Sequence, residues 1–251
     1  MNSPIETQGL TKRFGRFTAV NSIDIQVSRG EIFGFLGANG AGKTTAIRML
    51  CGLLQPTAGS GTVAGFDILR ETAKIRTRIG YMSQKFALYP DLTVFENLRL
   101  VAELYAIPRL ELKDHLESAA LRTGIQDLFR RRTGELPWGW QQRLSLACAT
   151  VHRPEILFLD EPTGSVDPLS RRRFWDLIRA ETVRGTTIFV TTHYMDEAEY
   201  CHRMSFLVDG RITAEGTPGA LKEEYHVTTL QEVFLAVVRR ASQMKNTQGA
   251  V

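Results

Sequence analysis

Nine residues, Gly37-Ala38-Asn39-Gly40-Ala41-Gly42-Lys43-Thr44-Thr45, constrain the fold more than any other stretch of the chain. They follow the apolar run Ile32-Phe33-Gly34-Phe35-Leu36 and open into Ala46-Ile47-Arg48-Met49-Leu50. That order reads as a strand, a glycine-rich turn and a helix start. Glycines at 37, 40 and 42 let the backbone curl so that successive N–H groups point inward at an anion. The helix beginning near Gly42 directs its positive dipole end at the same point. The match to G-x-x-x-x-G-K-[ST] is complete, and the strand-to-helix setting is the one this pattern requires. The expected ligand is a nucleoside triphosphate cradled by residues 37–45. Lys43 reaches its β- and γ-phosphates, and the Thr44 hydroxyl is placed for Mg²⁺.

A chain of 251 residues accommodates one large α/β domain, or a core carrying an inserted subdomain. Its 43% hydrophobic and 23% charged residues are ordinary for a soluble globular protein. The net charge of +4 is mildly basic, and the arginine triplets at 130–132 and 171–173 supply much of it. They read first as solvated helix faces, and second as contacts to phosphate or lipid headgroups. Cys51, Cys148 and Cys201 are far apart with no C-x-x-C spacing, so neither a zinc site nor a disulfide framework is indicated, and a reducing cytosol fits. No secretory signal pattern opens the chain. No apolar run approaches the ~20 residues of a membrane span, so a membrane process would need another chain for its membrane part.

Along the chain, strands are expected at 5–9 and 20–27, the latter from alternation of Ile23, Ile25 and Val27 with Asp24 and Gln26. Lys12-Arg13-Phe14-Gly15 reads as a turn carrying an exposed aromatic, and Gly59-Ser60-Gly61 as a turn before a short strand at 62–64. After a strand at 78–82 the pattern becomes helical. Thr93 and Glu96 form a capping box for a helix that shows Val94, Phe95, Leu98, Val101, Ala102 and Tyr105 on one face. Helices follow at 109–123, 125–131 and 141–151, so residues 85–152 or thereabouts form an inserted helical subdomain. The α/β pattern returns with a buried strand at 156–159 and a helix from Asp167-Pro168 to about 183. A strand at 186–191, a short helix at 194–200 and a strand at 203–208 come next. Asp209-Gly210 then signals a hairpin. Thr229 and Glu232 cap a last helix with an apolar stripe over 230–238, which reads as packing onto the domain. The domain is expected to span 1–240, with 241–251 a flexible, frayed tail.

A phosphate-binding loop only grips. Hydrolysis also needs a metal anchor, a base and a group that senses the γ-phosphate. Asp160 ends a buried strand, where such sheets place Mg²⁺ ligands, and the adjacent Glu161 can activate or orient an attacking water. Two carboxylates there are costly unless they meet a cation. His193 stands just past the neighbouring strand, also at its carboxyl end.

With these motifs in this order, the chain resembles the nucleotide-binding domain of an ATP-binding-cassette (ABC) transporter over residues 5–240. The resemblance implies a phosphate-loop NTPase core with a mixed, mostly parallel sheet, an N-terminal antiparallel β subdomain and the helical insertion. It implies that Phe14 stacks on adenine, that Gln84 joins the Mg²⁺ site to the transporter interface, and that Asp160 holds the metal with Thr44. Glu161 matches the base, His193 the γ-phosphate sensor and Ser165-Val166-Asp167 the subunit-contact loop. It further implies a head-to-tail pair of domains with ATP sandwiched against the partner's signature segment, and a separate permease in the membrane. That places the chain on the cytoplasmic face, with no nucleic acid expected. The segment 85–90, just after Gln84, resembles the groove that receives a permease helix.

Two departures stand out. The signature, usually Leu-Ser-Gly-Gly-Gln, reads Leu136-Pro137-Trp138-Gly139-Trp140. Pro137 offers neither hydroxyl nor N–H, Trp138 replaces a glycine, and Gly139 remains for the anion site. Gly164-Ser165 inverts the usual Ser-Gly. The turn at 51–54 and the 230–238 helix look most like drug exporters. Two other readings stay open: a soluble ABC ATPase acting on nucleic acid, and a catalytically weak regulatory cassette.

Overall fold

In the computed structural model, which describes residues 3–84, 87–164 and 166–248, the apolar run before the glycine-rich loop is strand β3 (Ile32–Leu36), buried at every position. It lies within a six-stranded sheet ordered β10-β9-β3-β8-β7-β6. The other members are β6 (Ile79–Met82), β7 (Ile156–Asp160), β8 (Thr187–Thr192), β9 (Arg203–Val208) and β10 (Arg211–Gly216). β6, β7, β8, β3 and β9 pair in parallel, and only β10 runs antiparallel, joined to β9 through Asp209-Gly210. Both turn residues have positive φ, 51° and 75°, as a two-residue hairpin of this hand requires. The central strands are apolar throughout because both faces of the sheet are covered.

On one face, Phe33, Phe35 and Phe158 gather around Phe189 with ring centroids 5.4 to 5.6 Å apart. Against them pack α1 (Lys43–Leu50) and a second, antiparallel sheet, ordered β2-β1-β4-β5. That sheet comprises β1 (Ile5–Phe14), β2 (Phe17–Val27), β4 (Ala58–Val63) and β5 (Phe66–Asp67). Its strands are longer than expected: Phe14 ends β1 instead of sitting in a turn, although the ring is half exposed. Gly59-Ser60-Gly61 is not a turn but the middle of β4, paired with β1. A Cβ at Gly59 would stand 2.3 Å from the Gly9 carbonyl oxygen, so strand proximity accounts for the glycine there.

The other face of the large sheet carries α6 (Pro168–Val183) and α9 (Leu230–Gln248). Asp167 caps α6 by accepting from the Ser170 N–H, with Pro168 in the first turn. Leu230, Val233 and Val237 bury the α9 stripe as plain packing, yet the helix continues past it. The tail expected to fray from 241 is helical as far as Gln248. Short helices α7 (Met195–Ala198) and α8 (Pro218–Glu224) complete this layer, while α2 (Thr72–Arg78) packs Ile75 into the core on the opposite face.

Between β6 and β7 lie α3 (Val94–Leu104), α4 (Arg109–Thr123) and α5 (Trp138–Thr150), which share a core of their own built on Leu98, Leu116, Ala120 and Leu144. The Thr93–Glu96 capping box forms as read, with both reciprocal bonds in place. The helix expected at 125–131 is a single 3₁₀ turn, Gln126–Leu128, because Gly124 ends α4 in the left-handed region. Lys85 and Phe86 of the expected docking segment, and Ser165, lie outside the described residues. Of that segment, Leu88 packs against the helical core and Tyr89 is exposed.

Candidate functional site

The glycine-rich loop is set by close approaches. A Cβ at Gly37 would stand 2.4 Å from the Leu207 carbonyl oxygen, and one at Gly42 2.3 Å from that of Ala19. Gly42 also has φ of 108°, and α1 starts at the next residue. The Lys43 side chain turns back into the loop and is 4% exposed. Its ammonium donates to the carbonyls of Gly37 (2.8 Å) and Ala38 (3.1 Å) and pairs with Glu161 Oε1 at 3.1 Å.

Asp160 ends β7 beside Thr191 of β8, its partner in the parallel register. Its Oδ1 accepts from the Thr191 hydroxyl (2.7 Å) and from the Thr44 hydroxyl (3.2 Å). Burial pushes the Asp160 carboxyl up, and Glu161 adds to this. The two hydroxyls and Lys43 pull the other way without cancelling it. Glu161 adopts φ of 49°, a left-handed conformation that side chains rarely take. Its N–H is held by both the carbonyl and the hydroxyl of Thr191, each at 3.1 Å. The outer carboxylate oxygen, Oε2, accepts from Gln84 Nε2 at 3.0 Å and lies 3.1 Å from His193 Nδ1. Lys43, Gln84, Glu161 and His193 therefore meet in one cluster, with Thr44 and Asp160 alongside.

A cleft of about 480 Å³ opens onto this cluster, walled by Phe14, Asn39, Gly40, Thr45 and Gln84. Ala38 and Ala41 belong to the same loop without lining the cleft. The cleft lies at the carboxyl ends of the parallel strands, where open α/β sheets bind their ligands. A larger groove of about 930 Å³ between Arg29, Arg153 and Arg184 borders the amino ends of β3, β7 and β8 and contains none of these residues. Gly139 is also apart. It lines a second cleft of about 280 Å³ with Trp138, Trp140, Val166, Asp167 and Ser170, at the start of α5. There the Trp138 indole N–H donates to the Gly164 carbonyl at 3.1 Å, so the residue replacing a glycine ties α5 to the loop after Glu161.

Sequence reasoning missed Thr191, which anchors both Asp160 and Glu161, and Phe17, which shares the cleft wall with Phe14. Thr191 carries no pattern of its own; only the pairing of β7 with β8 brings it to Asp160.

The electrostatics give a test that needs no ligand. Asp160 titrates higher folded than unfolded, so the folded protein holds a proton through a pH window that starts at the ordinary carboxylate value. Above that window the buried charge costs stability, and below it the cost vanishes. Asp160→Asn keeps an acceptor for both hydroxyls and removes the charge. It should therefore melt about 2–4 °C higher than the parent near neutral pH for each kcal/mol relieved, with the difference closing as pH falls below 4. A gap independent of pH would mean that Asp160 is not charged in the parent.

Residues 20–164 match the family model described as ABC transporter. The chain belongs to that family. A curated relative, the Escherichia coli "Probable multidrug ABC transporter ATP-binding protein YbhF", is 45% identical over 239 residues, covering 93% of this chain and 41% of that protein. The chain thus spans less than half of that relative. The "Daunorubicin resistance ATP-binding protein DrrA3" of Streptomyces coeruleorubidus is 38% identical over 244 residues, covering 97% of this chain and 76% of that one. Among solved structures, a dimeric post-hydrolysis state of the cassette MJ0796 bound to ADP and Pi superimposes with a TM-score of 0.77 at 25% identity, covering 85% of this chain and 98% of that one. The architecture above is that of an ABC cassette, and ATP binding and hydrolysis are the activity characteristic of the family.

Proposed function

We propose that this ABC cassette is the ATP-binding and ATP-hydrolysing subunit of an exporter, acting beside a separate membrane permease. The observation that carries the reading is the junction of Lys43, Gln84, Glu161 and His193 at the mouth of the glycine-rich loop. The Lys43 ammonium trades its two loop carbonyls and Glu161 for phosphate oxygens, which releases Glu161. Glu161 then takes a proton from the attacking water, and His193, a hydrogen bond away, orients against the γ-phosphate. Phe14, exposed at the cleft wall, supplies a face for adenine.

The donor set suits Mg²⁺. Among the described residues no cluster of three or more His, Cys, Asp or Glu side chains could hold a metal alone, so a cation here draws on mixed oxygens and on phosphate. Thr44 and Asp160 offer two hard oxygens 3.2 Å apart, Gln84 an amide, and the buried Asp160 charge wants a counter-ion. Held by Thr44 and Asp160, Mg²⁺ would neutralise charge on the nucleotide's phosphates.

Gly139 stands in its own cleft, away from its own Lys43, which supports its serving the nucleotide of a second ABC ATPase domain in a head-to-tail pair, identical or not. Among the described residues no helix is long and apolar enough to cross a membrane. A place on the cytoplasmic face beneath a permease follows the family of ABC transporter ATP-binding proteins to which the relatives belong. Drugs as the exported class are supported by the two relatives above, named for multidrug transport and for daunorubicin resistance. No nucleic-acid partner is part of the reading. Purified protein should release phosphate from ATP only with Mg²⁺ present. Turnover that survives removal of the divalent ion, or that demands DNA or RNA, would displace this reading.

A further inference from the structure

One buried carboxylate near the site touches neither the glycine-rich loop nor the cleft. Glu197, on α7, has no exposed surface. The Thr163 hydroxyl donates to its Oε1, and the Thr192 hydroxyl to its Oε2 at 2.6 Å. Arg171 of α6 brings Nε to 3.5 Å from Oε1. The same guanidinium lies 4.1 Å from the centre of the Tyr194 ring, which in turn sits 4.1 Å from the His193 ring. Burial raises the Glu197 carboxyl, while the hydroxyls and Arg171 oppose that rise.

The positions of its partners give this arrangement its meaning. Thr163 is two residues beyond Glu161, and Thr192 immediately precedes His193. Thr163 lies in the turn after β7, whereas Thr192 is the last residue of β8, in register with Leu36 of β3. Between β7 and β8 the last rung is Asp160 opposite Thr191, beyond which the Glu161 N–H still bonds to Thr191. Glu197 adds a second tie further out, joining the turn after Glu161 to the end of β8 just before His193. Both of its oxygens are used, one for each arm, so neither arm can shift without breaking a hydrogen bond in a place that water does not reach.

We propose that Glu197 is a positioning residue for hydrolysis, clamping the Thr163 turn to the Thr192 end of β8 so that Glu161 Oε2 and His193 Nδ1 stand 3.1 Å apart. The proposal rests on the reading of Glu161 and His193 as the hydrolytic pair. Glu197 itself is not among the residues that wall the cleft. Its link to Arg171 extends the clamp to α6, whose N-cap Asp167 lies in the loop expected to meet the partner domain.

The test is Glu197→Gln, which keeps the shape and one acceptor but cannot accept from both hydroxyls while retaining Arg171. With ATP and Mg²⁺, kcat should fall about 10- to 100-fold, the effect of a small misplacement of reacting groups, while ATP affinity measured by calorimetry stays within about twofold. In single-turnover measurements on a Glu161→Gln background, adding Glu197→Gln should cost nothing further, because the group being positioned is already gone. Should Glu197→Gln not fold, Thr192→Val and Thr192→Ser separate the same arm: valine should lower kcat and serine restore it. A fall in ATP affinity parallel to kcat, or a full additional loss on the Glu161→Gln background, overturns the proposal. Undiminished turnover by Glu161→Gln alone would instead sink the hydrolytic reading on which it rests, so the two failures are distinct.

Discussion

Lys43→Ala should abolish nucleotide binding, with affinity down by at least ~30-fold, since truncating one partner of a buried charge-assisted contact costs about 2–5 kcal/mol. The ammonium already sits in the loop, held by the Gly37 and Ala38 carbonyls and by Glu161. A phosphate therefore replaces contacts of known geometry and does not have to order a free side chain. Removing the lysine has a second effect. Glu161, 8% exposed, loses its buried cation, and breaking such a pair destabilises a fold by about 3–5 kcal/mol. Calorimetric titration with ATP and a melting curve should both register the change. Binding that persists in the micromolar range would show that the loop is not the nucleotide site. Lys43→Met, which keeps the apolar stem, guards against a merely unfolded variant.

Glu161→Gln should leave ATP binding intact and slow hydrolysis by about 10²–10⁴-fold, the range for loss of a general base. The amide oxygen can still accept from Lys43, and its nitrogen can donate to a turned Gln84 amide or to an unprotonated His193 Nδ1, so the loops keep their places. What is lost is an acceptor strong enough to take a proton from water. Because hydrolysis is what separates the proposed pair, this variant should accumulate as an ATP-dependent dimer by light scattering. A rate equal to the parent's would hand the base role to another group, with His193 the first candidate. A variant that binds ATP yet stays monomeric would mean that Pro137 and Trp138 leave a signature unable to close on a second copy.

Much of the site was legible because its parts are local. The glycine-rich loop, the carboxylates ending β7 and the histidine after β8 each declare themselves within a few residues of a strand end. Thr191 and Glu197 do not. Their partners are chosen by parallel register and by the docking of a four-residue helix, and no spacing along the chain reports either. The misread elements have the same origin. Gly59 looked like a turn because glycine usually marks one, whereas here it lets β4 approach β1. Ile125 is buried against the helical core and looked like the start of another helix, but Gly124 had already turned the chain. The last helix outran its apolar stripe because arginine, alanine and glutamine favour helix without any packing.

The two clefts of the cassette belong to one chain but face different nucleotides in the proposed pair. Each catalytic compartment is then half inherited from one copy and half from the other. A copy disabled at Lys43 and a copy disabled at Gly139 are each inert among their own kind. Brought together, they assemble one compartment bearing both lesions and a second bearing neither, so two defective genes can encode one working machine.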